Sequence, residues 1–157
     1  MRARRDRRGT LVLDRMPPFC ADALARVPAW LEDPDPALRA RLFPRAYADP
    51  SEEEEWRRLA APELAHLFQG RLEVVQGDLA SLAPGRPAGT LSLVIPAGHE
   101  SAWLSSLNAA RIALFERHRL EPADMGREPA DLKDPVRALA LLRIHALAWV
   151  QELLLGP

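Results

Sequence analysis

Apolar residues recur every third or fourth position through three long stretches of the chain, and this spacing predicts most of its architecture. In Pro96–Leu120 the series is Trp103, Leu107, Ala110 and Leu114, flanked by Leu104 and Phe115. Leu64, Phe68, Leu72, Val75, Leu79 and Leu82 form a second series after Pro62, and Leu139, Leu142, Ala146, Trp149 and Leu153 a third after Asp134-Pro135. Each reads as a helix with one face turned to a core. Gly70 and Gly77 lie seven apart in the second helix and share a side, an arrangement that admits close approach of another backbone. Phe19–Leu31 predicts a further helix, broken at Pro28 because a proline inside a helix removes a hydrogen bond and clashes with the preceding turn. A short helix over Ala37–Leu42 follows the turn Asp33-Pro34-Asp35-Pro36. Ser51-Glu52-Glu53-Glu54 has the capping-box pattern, and Glu53 and Glu54 stand four residues before Arg57 and Arg58. Leu91, Leu93 and Ile95 fall on one face with Ser92 on the other, which predicts a strand over Thr90–Ile95. Paired with Thr10–Leu13 it makes a ribbon that must lie on the helices to be stable. The expected fold is mainly α: a single-domain helical bundle of about four main helices with a small two-stranded antiparallel β ribbon. Residues 1–9 are expected as a basic flexible arm and residues 10–157 as the helical domain.

Composition narrows the function classes. A chain of 157 residues, 48% hydrophobic and 27% charged, can bury a sizeable core without metal or disulfide staples. Its formal charge of -1 selects neither nucleic acid nor an anionic membrane. Cys20 is the sole cysteine, so no intramolecular disulfide forms, and its expected place is a buried, inert position in a reducing compartment. The start MRARRDRR runs into only Thr10–Leu13 before charge returns, unlike a signal peptide. Val136–Leu155 approaches bilayer-spanning length, but Arg143, His145, Gln151 and Glu152 interrupt it as they would a buried helix. A cytoplasmic protein away from membranes is expected. The four histidines are scattered, no glycine-rich phosphate loop follows a strand, and no nucleophile elbow surrounds Ser101, Ser105 or Ser106. No metal, cofactor or catalytic residue is expected.

Three sets of residues remain as candidate sites. Leu42, Phe43, Pro44, Arg45 and Tyr47 form an apolar, aromatic connector where a polar loop is usual; they either plug the bundle or dock a protein partner. Asn108 and Arg111, three apart, stand one above the other at the margin of the apolar face of Pro96–Leu120, and Glu152, three residues after Trp149, is placed to meet the guanidinium in a bidentate pair. That buried polar network either fixes helix register or holds a small anion. Arg2, Arg4, Arg5, Arg7 and Arg8, opposed only by Asp6, could grip DNA phosphates.

The blocks DPALRARLFPRAYADP, EEEEWRRL, AWLSSLNAARIAL and WVQELL resemble, in order and spacing, a bacterial family catalogued as domain of unknown function two-thousand-seventeen. The resemblance covers roughly Asp35 to Leu154. It implies that Leu42, Phe43, Pro44, Tyr47, Arg58, Trp103, Leu107, Asn108, Arg111, Trp149, Gln151 and Glu152 are shared positions, with no reaction assigned to them. It further implies an actinobacterial type of protein, often encoded beside the Clp protease adaptor and linked to transcriptional control of oxidative-stress responses with RNA polymerase factors. A redox switch in that role would need two thiols, and Cys20 is alone. The leading expectation is a non-enzymatic regulatory or adaptor protein acting on a protein partner through the LFPRAY segment. The alternatives are a transcriptional regulator that meets DNA through the basic arm, and an enzyme or small-anion binder centred on Arg111.

Overall fold

The computed structural model describes residues 1–156. Its described part is mixed α and β: strands β1 (Arg2–Arg5), β2 (Leu11–Met16), β3 (Ala83–Pro84) and β4 (Leu91–Ile95) form one antiparallel sheet in the order β1-β2-β4-β3. Helices α1 (Pro18–Ala25), α2 (Val27–Leu31), α3 (Pro36–Leu42), α4 (Pro50–Leu59), α5 (Ala61–Leu79), α6 (Glu100–Arg117) and α7 (Pro135–Leu155) complete it, with short 3-10 turns at Pro122–Gly126 and Pro129–Asp131. This corrects the expected bundle of four helices with a two-stranded ribbon.

The central pair of the ribbon forms as the alternation predicts, with Leu11 opposite Ile95 and Leu13 opposite Leu93. The sheet grows on both sides of that pair. Arg2–Arg5, expected within a flexible arm, is an edge strand hydrogen-bonded to β2. Asp6 makes this hairpin: its carboxylate accepts from the amides of Arg8 (2.8 Å) and Thr10 (3.0 Å), while Gly9 turns the chain at φ 84°. Between Leu13 and Met16 the register shifts, with Arg15 at φ 52°. This bulge puts Met16, rather than Arg15, into the core beside Leu11 and Leu13.

α6 is the hub of the helical layer and packs against α2, α3, α5 and α7. Trp103, Leu107, Ala110 and Leu114 are all at most 1% exposed, so the predicted stripe is the core face. Asp78 near the end of α5 is buried beside it; its carboxylate accepts from Trp103 Nε1 (2.8 Å) and lies 3.0 Å from His99 Nδ1, which ties α5 to the start of α6. In α7 the predicted stripe meets the core only through Ala146, which is buried, and Leu153, which is partly buried against it. Leu139, Leu142 and Trp149 are exposed, while Ala140, Leu141, Ile144, Leu147, Val150 and Leu154 are buried. α7 is long and apolar enough to cross a bilayer by length and composition, yet here its inner side lies along α6.

Helix ends also correct the expected boundaries. The first helix breaks at Arg26 rather than at Pro28, which sits in the first turn of α2, where its missing N–H is not needed. α4 is capped by Asp49, whose side chain accepts from Ser51 and Glu52 amides, so Ser51 is not the cap. Gly70 and Gly77 admit no neighbouring backbone: a methyl group added at either would meet nothing within 4 Å. Gly70→Ala and Gly77→Ala should therefore each stabilise the protein, by about 0.5–1 kcal/mol, because alanine restricts the unfolded chain at no packing cost. Chemical denaturation checks this, and a lowered midpoint would mean that α5 is packed more tightly than described.

Candidate functional site

The apolar connector after α3 is shaped by one carboxylate. Glu53, on the first turn of α4 and 6% exposed, turns back so that Oε2 accepts from the amides of Ala46 (2.9 Å) and Tyr47 (3.1 Å). Oε1 accepts from Arg57 Nε at 2.6 Å. The Tyr47 amide above all, with Arg57 and the Ala46 amide behind it, holds this carboxyl below its ordinary value of 4.5. A depressed carboxylate stabilises the fold above its unfolded value and stops doing so as pH falls through the lower folded value. Acidification below about pH 4.5 should therefore loosen residues 44–48, followed as amide exchange, and Glu53→Gln should remove that pH dependence. An identical acid profile in the variant would exclude Glu53 as the clamp.

So held, the connector forms one lip of a groove of about 650 Å3 between α3, α4 and α5. Phe43, Pro44, Trp56 and Phe68 supply its apolar surface, Phe43 meeting Phe68 edge to face at 5.6 Å between centroids. Arg39, Arg45 and Arg57 supply cations around it, with Glu32 at the α2 end. Arg57 is neutralised by Glu53. Arg39 and Arg45 have no carboxylate within 4.0 Å among the described residues; Arg45 donates only to the Ala48 carbonyl, at 3.3 Å. Of the connector residues singled out from sequence, Phe43, Pro44 and Arg45 line this groove, Leu42 packs on the core, and Tyr47 is 45% exposed outside the lining. Trp56 and Phe68 are the contributors that sequence reading missed, because each also satisfies a local helical pattern.

The second set is rearranged. Arg111 Nη1 donates to Gln151 Oε1 at 2.7 Å, and Gln151 Nε2 in turn donates to the Leu104 carbonyl at 3.2 Å. Glu152, expected in a pair with Arg111, is exposed and takes no part. Asn108 is likewise exposed, not buried, and with Arg111 lines a smaller pocket of about 350 Å3.

In the N-terminal set, Arg4 pairs with Asp14 at 3.0 Å and Arg5 with Glu100, so these two arginines are engaged within the fold. Arg5 also reaches the Leu154 carbonyl at the end of α7. Arg7 and Arg8 lie exposed in the β1–β2 turn and Arg2 is exposed on the strand. Cys20 is buried, and burial pushes its thiol up from the ordinary 9.0, away from thiolate reactivity. Among the described residues no three His, Cys, Asp or Glu side chains gather as metal ligands.

An all-antiparallel four-stranded sheet with a layer of helices around α6, carrying an aromatic and arginine-rimmed groove, defines the class of protein. The chain belongs to the family described as Domain of unknown function (DUF2017), whose model matches residues 4–156. No curated protein and no solved structure gives a significant match.

Proposed function

We propose that the protein is a non-enzymatic adaptor or regulator that captures an acidic, apolar segment of another protein in the groove between α3, α4 and α5. The observation that carries this reading is the pairing of an aromatic floor with two uncompensated guanidiniums, Arg39 and Arg45. Buried aromatic and arginine side chains dominate the energetics of protein interfaces. A helix or extended segment presenting aliphatic anchors would fill the space between Phe43, Trp56 and Phe68, and flanking Asp or Glu would meet the two arginines. Glu53 supports the same role, since a lip held before binding needs less ordering on association.

The basic residues at the N-terminus favour the DNA-associated alternative less, because Arg4 and Arg5 are already paired with Asp14 and Glu100. A lone, buried thiol suits a reducing compartment, so we place the protein in the cytoplasm.

Selection of displayed random peptides on the intact protein tests the reading. Wild type should enrich segments with two or three aliphatic or aromatic anchors and net negative charge, and binding should weaken as salt rises. Enrichment of basic or purely polar peptides, or of none, would overturn it.

A further inference from the structure

We propose that the smaller pocket beside Arg111 is a binding site for a small organic monocarboxylate with an apolar body. Four elements close on this space of about 350 Å3, at the small end of the range for ligand pockets: α6 through Asn108, Arg111, Ile112 and Phe115, α7 through Ile144, α3 through Arg41, and the 3-10 turn through Met125. This site is separate from the groove lined by Phe43 and Trp56.

The charge balance of the pocket selects the ligand. Arg111 is half-buried, and its one hydrogen-bond partner among the described residues is the neutral amide of Gln151. Its Nε is buried without a hydrogen-bond partner, and no carboxylate lies within 4.0 Å of the guanidinium among the described residues. A half-buried guanidinium with no anionic partner is stabilised by a carboxylate, whose planar geometry matches its donors. Gln151 cannot supply that charge. It does fix the side chain's direction, because its own amide is held by the Leu104 carbonyl. Arg41, the other cation at the pocket, is already paired with Glu116 at 2.6 Å, so one positive charge remains for the ligand. That balance favours a monoanion over phosphate. Ile112, Phe115, Met125 and Ile144 give the rest of the pocket an apolar lining that an inorganic anion would leave in contact with nothing. Asn108, one turn before Arg111, is placed to donate to the second carboxylate oxygen.

Titration calorimetry on the full chain, with amide chemical-shift mapping, tests the assignment using hexanoate, 4-phenylbutyrate, hexanamide and inorganic phosphate as probes. Hexanoate and 4-phenylbutyrate should bind saturably and shift amides around Asn108–Phe115 and Met125. Hexanamide and phosphate should bind at least about tenfold more weakly, the first lacking charge and the second the apolar body. Arg111→Gln should abolish hexanoate binding, and Asn108→Ala should weaken it severalfold. Because Asn108 is exposed, that variant decides the matter if Arg111→Gln fails to fold. No hexanoate or 4-phenylbutyrate binding up to about 10 mM, equal binding of hexanamide, tighter binding of phosphate, or unchanged affinity in the folded variants would each overturn the proposal. Peptide capture in the larger groove is read independently, so failure of one site is distinguishable from failure of the other.

Discussion

Trp103→Ala should destabilise the protein by about 3–5 kcal/mol, the largest effect expected of any single substitution described. Trp103 is 0% exposed in the first turn of α6, the helix on which α2, α3, α5 and α7 all pack. Truncation removes its apolar transfer energy and leaves a cavity that the surrounding helices can only partly fill. It also takes a donor from the buried carboxylate of Asp78, which then relies on His99 alone. Trp103→Phe separates the two effects: it keeps most of the ring and removes the N–H, and should cost about 1–3 kcal/mol. Denaturant unfolding gives both values. A loss below about 1 kcal/mol for the alanine variant would mean that α6 is not the hub.

Trp56→Ala should have the largest effect on partner binding, lowering the affinity of a groove-selected peptide about 30-fold, or roughly 2 kcal/mol. Trp56 is partly exposed in the free protein and lines the groove with Phe43 and Phe68, so part of its surface is available to a partner. Fluorescence polarisation with a labelled selected peptide measures the loss, and thermal unfolding of the same variant shows whether the fold survives. An affinity within threefold of wild type would move the contact away from this groove.

How far the fold could be read from sequence depended on whether a segment's large apolar residues share one face. The α6 stripe was legible because Trp103, Leu107 and Leu114 fall on one line, with small residues on one flank and Arg111 on the other. α7 is apolar nearly all round, and its three-or-four spacing exists on two faces at once; the stripe read from sequence straddled them, with Leu139, Leu142 and Trp149 exposed but Ala146 buried and Leu153 against the core. The same ambiguity displaced the polar partner: Gln151 and Glu152 are adjacent, but successive residues lie about 100° apart around a helix, and only Gln151 faces Arg111. Strand β1 was hidden by its arginines, since an edge strand keeps its outward side chains in water and charge there is normal. Its signal was the Asp6–Gly9 turn, which the reading of the segment as a basic run passed over. Asp49-Pro50 carried as good a helix start as Ser51–Glu54, and because Asp49 capped the helix, Glu53 was free to turn back to the connector. The groove itself was half legible. Phe43, Pro44 and Arg45 stood out as an apolar and aromatic stretch where a loop is usually polar. Trp56 and Phe68 join them only through the packing of α4 and α5, which no local pattern reports.

On the proposed function, Arg39 and Arg45 recognise acidic flanks on a partner segment held in this groove. Compensating charge exchange tests it most directly: a wild-type-selected peptide and its copy with Asp and Glu replaced by Lys are each titrated against wild type and the Arg39→Glu/Arg45→Glu variant. The acidic peptide should lose at least about tenfold in affinity on the variant, and the lysine peptide should regain it there while binding wild type poorly. Equal binding of both peptides to both proteins would contradict the claim, and would leave the groove as part of the core's packing rather than a site of recognition.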